Sequence, residues 1–235
     1  MTEMAAIRAM LALVLRHPVD AAVLPRLAGG GLHVEMDWAP TSVLLQKLEA
    51  GERADVLVVT ADAMDRLAGK GTIDTSSRID LVRSRIGIAV PRGAAHPHIG
   101  TLDAAIQTLR AARSVSYSRG GASGIHFAAA IERLGIAAEI NARATIIPAG
   151  FTAEQLVTGE ADIAVQQISE LMTVPGVEIV GSLPEPLGTA AIFSGAVLAA
   201  TAQPEAARRF LALLDDPRTR PAYAQAGLEP LSPGR

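Results

Sequence analysis

The chain has 235 residues, 49% of them hydrophobic, and 21 Lys and Arg against 24 Asp and Glu leave a net charge of −3. That is enough apolar material for one large α/β domain or two smaller lobes, and too much for a disordered chain. Aromatic residues make up only 3% and the balance is slightly acidic, which argues against a basic nucleic-acid face and against stacking platforms for single strands. With no cysteine, disulfides, thiolate nucleophiles and cysteine metal sites are excluded.

Residues 9–15 are apolar, but the run is short, ends at Arg16-His17-Pro18, and is preceded by no basic residue except Arg8. It fails as a secretory leader and as a membrane span. As written, the chain reads as cytoplasmic without membrane insertion, or as periplasmic if a leader has been removed.

Residues 7–13 read as a buried strand and turn. Residues 14–27 have near-helical apolar spacing, with Pro18 suited to a first turn and Pro25 to a last one. The triple glycine at 29–31 breaks that helix. Leu32, Val34, Met36 and Trp38 alternate as a half-buried strand. Thr41 or Ser42 caps a helix to about residue 50, residues 54–60 form a buried parallel-type strand, and 62–68 form a further helix. This β-α-β-α-β-α order implies a parallel sheet with helices on both faces.

Residues 86–90 are a central strand, 101–112 a helix with Thr101 as cap, and 112–117 a strand. The stretch S-Y-S-R-G-G-A-S-G-I-H-F at 116–127 then joins that strand to a helix over 125–134. Its three glycines allow a sharp turn and a close backbone approach. Ser123 stands at the N-cap, Gly124 follows, and Arg119 adds a planar cation suited to carboxylate or tetrahedral oxyanions. Free amides and the positive end of the helix dipole make this an expected anion site. The plain alternative is an ordinary glycine-rich strand-to-helix loop. A second such turn, P-A-G-F-T at 148–152, leads into a helix over 153–158 with Thr152 as cap and Phe151 as a candidate ligand contact. The strand over 163–167 ends in Gln166 and Gln167, each with an amide donor and acceptor. Residues 179–182 form a strand and 189–200 a longer one. Helices over 204–214 and 218–225 close the chain.

His96 and His98 form an H-P-H pair among proline and glycine, which reads as a solvated loop; no H-E-x-x-H spacing occurs. No metal and no cofactor are expected. Ligands on parallel α/β sheets bind outside the carboxyl ends of the strands. Thr41-Ser42, Ser123-Gly124, the 150–152 turn and Gln166-Gln167 all fall at such ends, over both halves of the chain.

The element order and three phrases resemble the periplasmic molybdate-binding proteins of the type II periplasmic-binding-protein fold. The phrases are E-A-G-E-R-A-D-V-L-V-V-T from Glu49, S-G-I-H-F-A from Ser123, and G-E-A-D-I-A-V-Q-Q-I-S from Gly159. The resemblance implies a two-lobed α/β fold with mostly parallel sheets and a cleft between lobes. Lobe 1 is then 1–85 plus 187–235, and lobe 2 is 86–186. It implies a small-molecule anion as ligand, ABC transporter membrane subunits as partners and no nucleic acid. Carried over by position, the family's serine turn falls on Thr41-Ser42 and its lobe-two turn on Ala122-Ser123-Gly124. Its first-strand serine falls on Val14 and its binding tyrosine on Gln167. The loss of two hydroxyls with Arg119 present favours a larger carboxylate over molybdate. The expected ligand contacts are Thr41, Ser42, Arg119, Ser123, Gly124, Phe151, Gln166 and Gln167.

The chain also resembles the aconitate isomerases, which look like this fold turned to catalysis. An allylic proton shift on a tricarboxylate needs an acid, a base and carboxylate clamps, and no cofactor. That alternative gives His126 the acid–base role, Arg119 and Ser123 the clamp, and Glu154 or Glu170 a second carboxylate. The plain alternatives are a packed histidine and ordinary helix charges. A transcriptional effector domain is a third reading, which needs a separate DNA-binding partner.

Overall fold

The structure is a computed structural model, and it describes residues 5–27 and 31–231. The chain forms two compact units. One takes in Met1–Ser84 and Ala191–Arg235; the other is Arg85–Ala190. The chain passes from the first to the second within one strand and returns within another.

In the first unit, β1 (Ala5–Ala12) pairs in parallel with both β2 (Leu32–Ala39) and β3 (Val56–Thr60). β3 pairs antiparallel with β9 (Ala190–Val197), and the short β10 (Glu229–Pro230) pairs antiparallel with the start of β4 (Ile79–Pro91). β1 is apolar except at Arg8, which pairs with Asp37 and Glu52, because both of its faces are covered. Ile7, Ala9 and Leu11 face a cluster with Phe210 and Leu214 of α10 (Pro204–Leu214) and Tyr223 of α11 (Arg220–Gln225). Met10 faces the other way, toward Leu44 of α3 (Thr41–Glu49) and Met64 of α4 (Ala61–Gly69).

In the second unit, β7 (Ile163–Gln167) pairs in parallel with β5 (Val115–Ser118), which pairs in parallel with β6 (Thr145–Ile147). The later part of β4 pairs antiparallel with β7 and with β8 (Val177–Ser182). Ile86, Tyr117 and Val165 face α5 (Leu102–Ala111), α6 (Ala122–Arg133) and α7 (Ala137–Asn141). Ala89 and Ala164 face α8 (Glu154–Val157) and α9 (Ile168–Met172). Tyr117 meets Phe127 edge to face with centroids 5.3 Å apart, and its hydroxyl donates to Asn141 Oδ1 at 2.6 Å.

The structure differs from the sequence expectations in several places. The helix expected over 14–27 is split into a 3-10 turn (Leu13–Leu15), α1 (Arg16–Ala22) and α2 (Leu24–Leu27). Gly29 and Gly30 of the expected break lie outside the described residues, and Gly31 has φ 65°. The strand expected over 86–90 starts at Ile79, and the one expected over 189–200 is Ala190–Val197. The one-turn helices α7 and α9 were not expected. Among the described residues no helix is long and apolar enough to cross a membrane.

Phe210 is fully buried in the cluster under β1. Phe210→Ala is expected to lower the unfolding free energy by about 3–5 kcal/mol, read from urea denaturation.

Candidate anion-binding loops

The loop after β5 in the second unit is fixed by its own backbone. Arg119 N donates to Ile147 O at 2.9 Å, Gly120 N to Pro148 O at 3.0 Å, and Gly121 N to Ser118 Oγ at 3.3 Å. α6 then starts at Ala122, with Gly121 as N-cap and no capping side chain. Ser123 is therefore not the cap. It lies inside the first turn, because the close seating on β5 brings the helix start forward to Gly121. A Cβ on Gly124 would stand 1.7 Å from Ser118 O, so only glycine admits this approach. The first intrahelical bond runs from Ile125 N to Gly121 O at 3.0 Å. The amides of Ala122, Ser123 and Gly124 precede it, and no side chain caps them.

Ser123 is 1% exposed, and its hydroxyl makes no hydrogen bond among the described residues. The Arg119 side chain is exposed and makes no hydrogen bond or ion pair there. This one loop thus gathers three helix-end amides, a hydroxyl and a guanidinium, all donors.

The second turn is organised differently. α8 begins at Glu154 with Ala153 as N-cap and no capping side chain, so Thr152 is not its cap. Instead the buried Thr152 donates from both N (2.8 Å) and Oγ1 (3.0 Å) to Gln166 Oε1, while Gln166 Nε2 donates to Gly150 O at 2.8 Å. A further hydrogen bond joins the Gln166 amide to the Glu170 carboxyl. The Gln166 amide is therefore spent on holding the turn and has no pole left for a ligand. Phe151 is half-buried against the cluster around Leu156 and Leu171, and it lines a surface groove of about 520 Å³ with Glu154, Val157 and Thr173.

Gln167 is the opposite case. It faces the same side as Val165 and its ladder partner Ile86, toward α6. It is 2% exposed, its side-chain amide has no hydrogen bond among the described residues, and Oε1 is sealed from solvent.

Glu170 is no ordinary helix charge, against the plain reading of the sequence. It is 9% exposed and accepts from the backbone N–H of Gln167, the N-cap of α9, three residues before it. That is the reciprocal half of a capping box, and the Q-x-x-E spacing was the signal for it. Burial outweighs these hydrogen bonds and pushes its carboxyl up to about 8. His126 Nε2 donates to Pro186 O at 2.9 Å, which ties α6 to the loop after β8 and commits that nitrogen.

In the first unit, Thr41 and Ser42 occupy the first turn of α3, one and two places after the N-cap Pro40. Neither is the cap. Thr41 Oγ1 accepts from Thr60 N at 3.3 Å and keeps its own proton to donate. Val14 is buried in the apolar cluster and offers no donor. In the H-P-H segment, His96 Nε2 lies 3.0 Å from Glu178 Oε2. Among the described residues no group of three or more His, Asp or Glu could hold a metal ion.

Glu170 gives a pH signature. A buried acid with a raised pKa is neutral in the folded chain and ionised in the unfolded one between its ordinary value of 4.5 and about 8. The unfolded state then binds fewer protons, so stability falls as pH rises through that window. Glu170→Gln is expected to raise the melting temperature at pH 8 and to flatten its decline between pH 5 and 8, checked by thermal melts across that range.

Residues 16–229 match the family described as bacterial extracellular solute-binding proteins. An aconitate isomerase from a Pseudomonas species is 37% identical over 207 residues, which cover 86% of this chain and 79% of that protein. The periplasmic molybdate-binding protein of Azotobacter vinelandii superposes with a TM-score of 0.77 at 14% identity, over 97% of this chain and 100% of that one. The sulfate-binding protein SubI of Mycobacterium tuberculosis H37Rv superposes with a TM-score of 0.72 at 18% identity, over 97% and 88%. The chain thus has the type II periplasmic-binding-protein fold.

Proposed function

The chain belongs to the bacterial extracellular solute-binding protein family, and on that footing we propose that it binds a small anion, a carboxylate in preference to a tetrahedral oxyanion. The observation that carries this is the mouth of α6. There the amides of Ala122, Ser123 and Gly124, the Ser123 hydroxyl and the Arg119 guanidinium have no side-chain partner among the described residues. Backbone amides at a helix N-terminus favour negative charge, and an arginine fork matches a carboxylate in two-point geometry. Val14 and Gln167 stand where the molybdate-binding family is expected to place hydroxyls, which disfavours molybdate itself. As a receptor of this family the protein would work outside the cytoplasm and deliver its ligand to ABC transporter membrane subunits.

A second reading is favoured by the 37% identity to an aconitate isomerase. In it the same clamp holds a tricarboxylate while a proton leaves one allylic carbon and another returns to the far end of the shifted double bond. No redox step is involved. His126, in the first turns of α6, is the acid–base candidate of this reading: its Nε2 donates to Pro186 O, which leaves Nδ1 to exchange a proton.

Calorimetry against molybdate, sulfate, citrate, succinate and the two aconitates tests the main reading. Saturable binding of a carboxylate is expected, and silence across the panel contradicts it. Arg119→Ala is expected to weaken the bound carboxylate at least tenfold, a loss of about 1.4 kcal/mol or more. An unchanged dissociation constant would return Arg119 to the status of a surface loop residue. Proton NMR of cis- and trans-aconitate with catalytic amounts of protein separates the readings: interconversion assigns the enzyme, and binding without conversion assigns the receptor.

A further inference from the structure

Resting on the carboxylate reading above, we infer that Gln167 selects ligands that carry a hydrogen-bond donor beside their carboxylate, either a hydroxyl or a retained carboxylic acid proton. The groups gathered at the mouth of α6 are all donors, as a fully ionised anion requires. Gln167 breaks that pattern. Its amide has one donor pole and one acceptor pole. Neither is used by the chain, and the acceptor is sealed from water. A buried carbonyl without a donor is costly, because it loses its bond to water and gains none in return. Its neighbour shows what a satisfied amide looks like here, since Gln166 is fully bonded to Gly150, Thr152 and Glu170. The two side chains point to opposite faces, and Gln167 takes the face of Val165 and α6. It stands at the carboxyl end of β7, next to β5, whose following loop carries Arg119 and Ser123.

An amide pairs in two points with a carboxylic acid: its oxygen accepts the acid O–H and its N–H donates to the acid carbonyl. A hydroxyl next to a carboxylate offers the same complement. Molybdate and sulfate, fully ionised at neutral pH, offer only acceptors and leave the Gln167 oxygen unpaired. A polycarboxylate without a hydroxyl meets the requirement by keeping one proton. The ionisable groups carried by the surrounding elements are Arg119 after β5, His126 on α6, Glu170 on α9 and Arg85 on β4, one residue before the ladder partner Ile86.

The test uses matched ligands that differ by one hydroxyl, citrate against tricarballylate and malate against succinate. Calorimetry at pH 7 is run in two buffers of different ionisation enthalpy. The wild-type chain is expected to prefer the hydroxylated member by about tenfold or more. It is expected to take up about one more proton with tricarballylate than with citrate. Gln167→Met, similar in size with no amide, is expected to lose both differences; Gln167→Leu serves if that variant does not fold. Carboxylates that bind wild type without a hydroxyl preference and without differential proton uptake overturn this inference and leave the carboxylate reading standing. Differences that survive in Gln167→Met also overturn it. If no carboxylate binds, the carboxylate reading fails and this inference goes with it.

Discussion

The close seating of α6 on the end of β5 is the constraint on which the second unit's chemistry rests. Gly124 lies so near Ser118 O that a single methyl group would stand 1.7 Å from it. With glycine there, the first turn of α6 reaches down to the strand end. The helix then begins at Gly121, a residue with no side chain to cap it. The uncapped amides, the buried Ser123 and the emergence of Arg119 all follow from that contact. A serine at the cap would have spent one of those amides internally. With glycine at the cap the arrangement gives up only about a few tenths of a kcal/mol against a good side-chain cap, and it leaves donors available.

Polar groups around this edge divide cleanly into those used by the fold and those left over. Gln166, Thr152, Tyr117 and His126 Nε2 all have protein partners at hydrogen-bond distance. Their work is to hold the 148–152 turn, α7 and the loop after β8 in place. Ser123, Arg119 and the Gln167 amide have none among the described residues. Buried polar groups are nearly always paired, which sets the buried Ser123 and Gln167 apart, together with the hydroxyls of Ser116 and Ser169, unpaired among the described residues, while the exposed Arg119 is served by water. Glu170 ties the two sets together. It accepts from the Gln166 side-chain amide and from the Gln167 backbone N–H, so one buried carboxyl holds the Gln166 side chain and caps the start of α9.

Much of this was legible in the residues. Residues 54–60 are apolar enough to be read as a buried strand, and 163–167 read as a strand ending in two amides; β3 and β7 lie there. Pro204–Leu214 carries a proline start and a clear apolar stripe, and the helix has those ends. The front of β4 was missed because Asp80, Arg83 and Ser84 interrupt its apolar pattern. The one-turn helices α7 and α9 are too short to show a period. Thr41, Ser123 and Thr152 all looked like caps, yet each helix begins at a neighbour with no capping side chain. Propensity names the residue types near a helix start, but the packing that decides where the start falls is tertiary. The same limit applies at the site. The glycines, Ser123 and Arg119 marked this loop as a candidate, beside the plain reading of a glycine-rich turn. The division of labour between Gln166 and Gln167 did not show, because adjacent strand residues point to opposite faces and only the fold says which face holds the turn.

The central claim is that a carboxylate is received by the backbone at the start of α6. Nitrogen-15 NMR of the labelled protein titrated with citrate reads that backbone directly. The account predicts large, saturable shifts for the amides of Ala122, Ser123 and Gly124, moving together with the same dissociation constant. Saturable binding that leaves those three amides unmoved would contradict it.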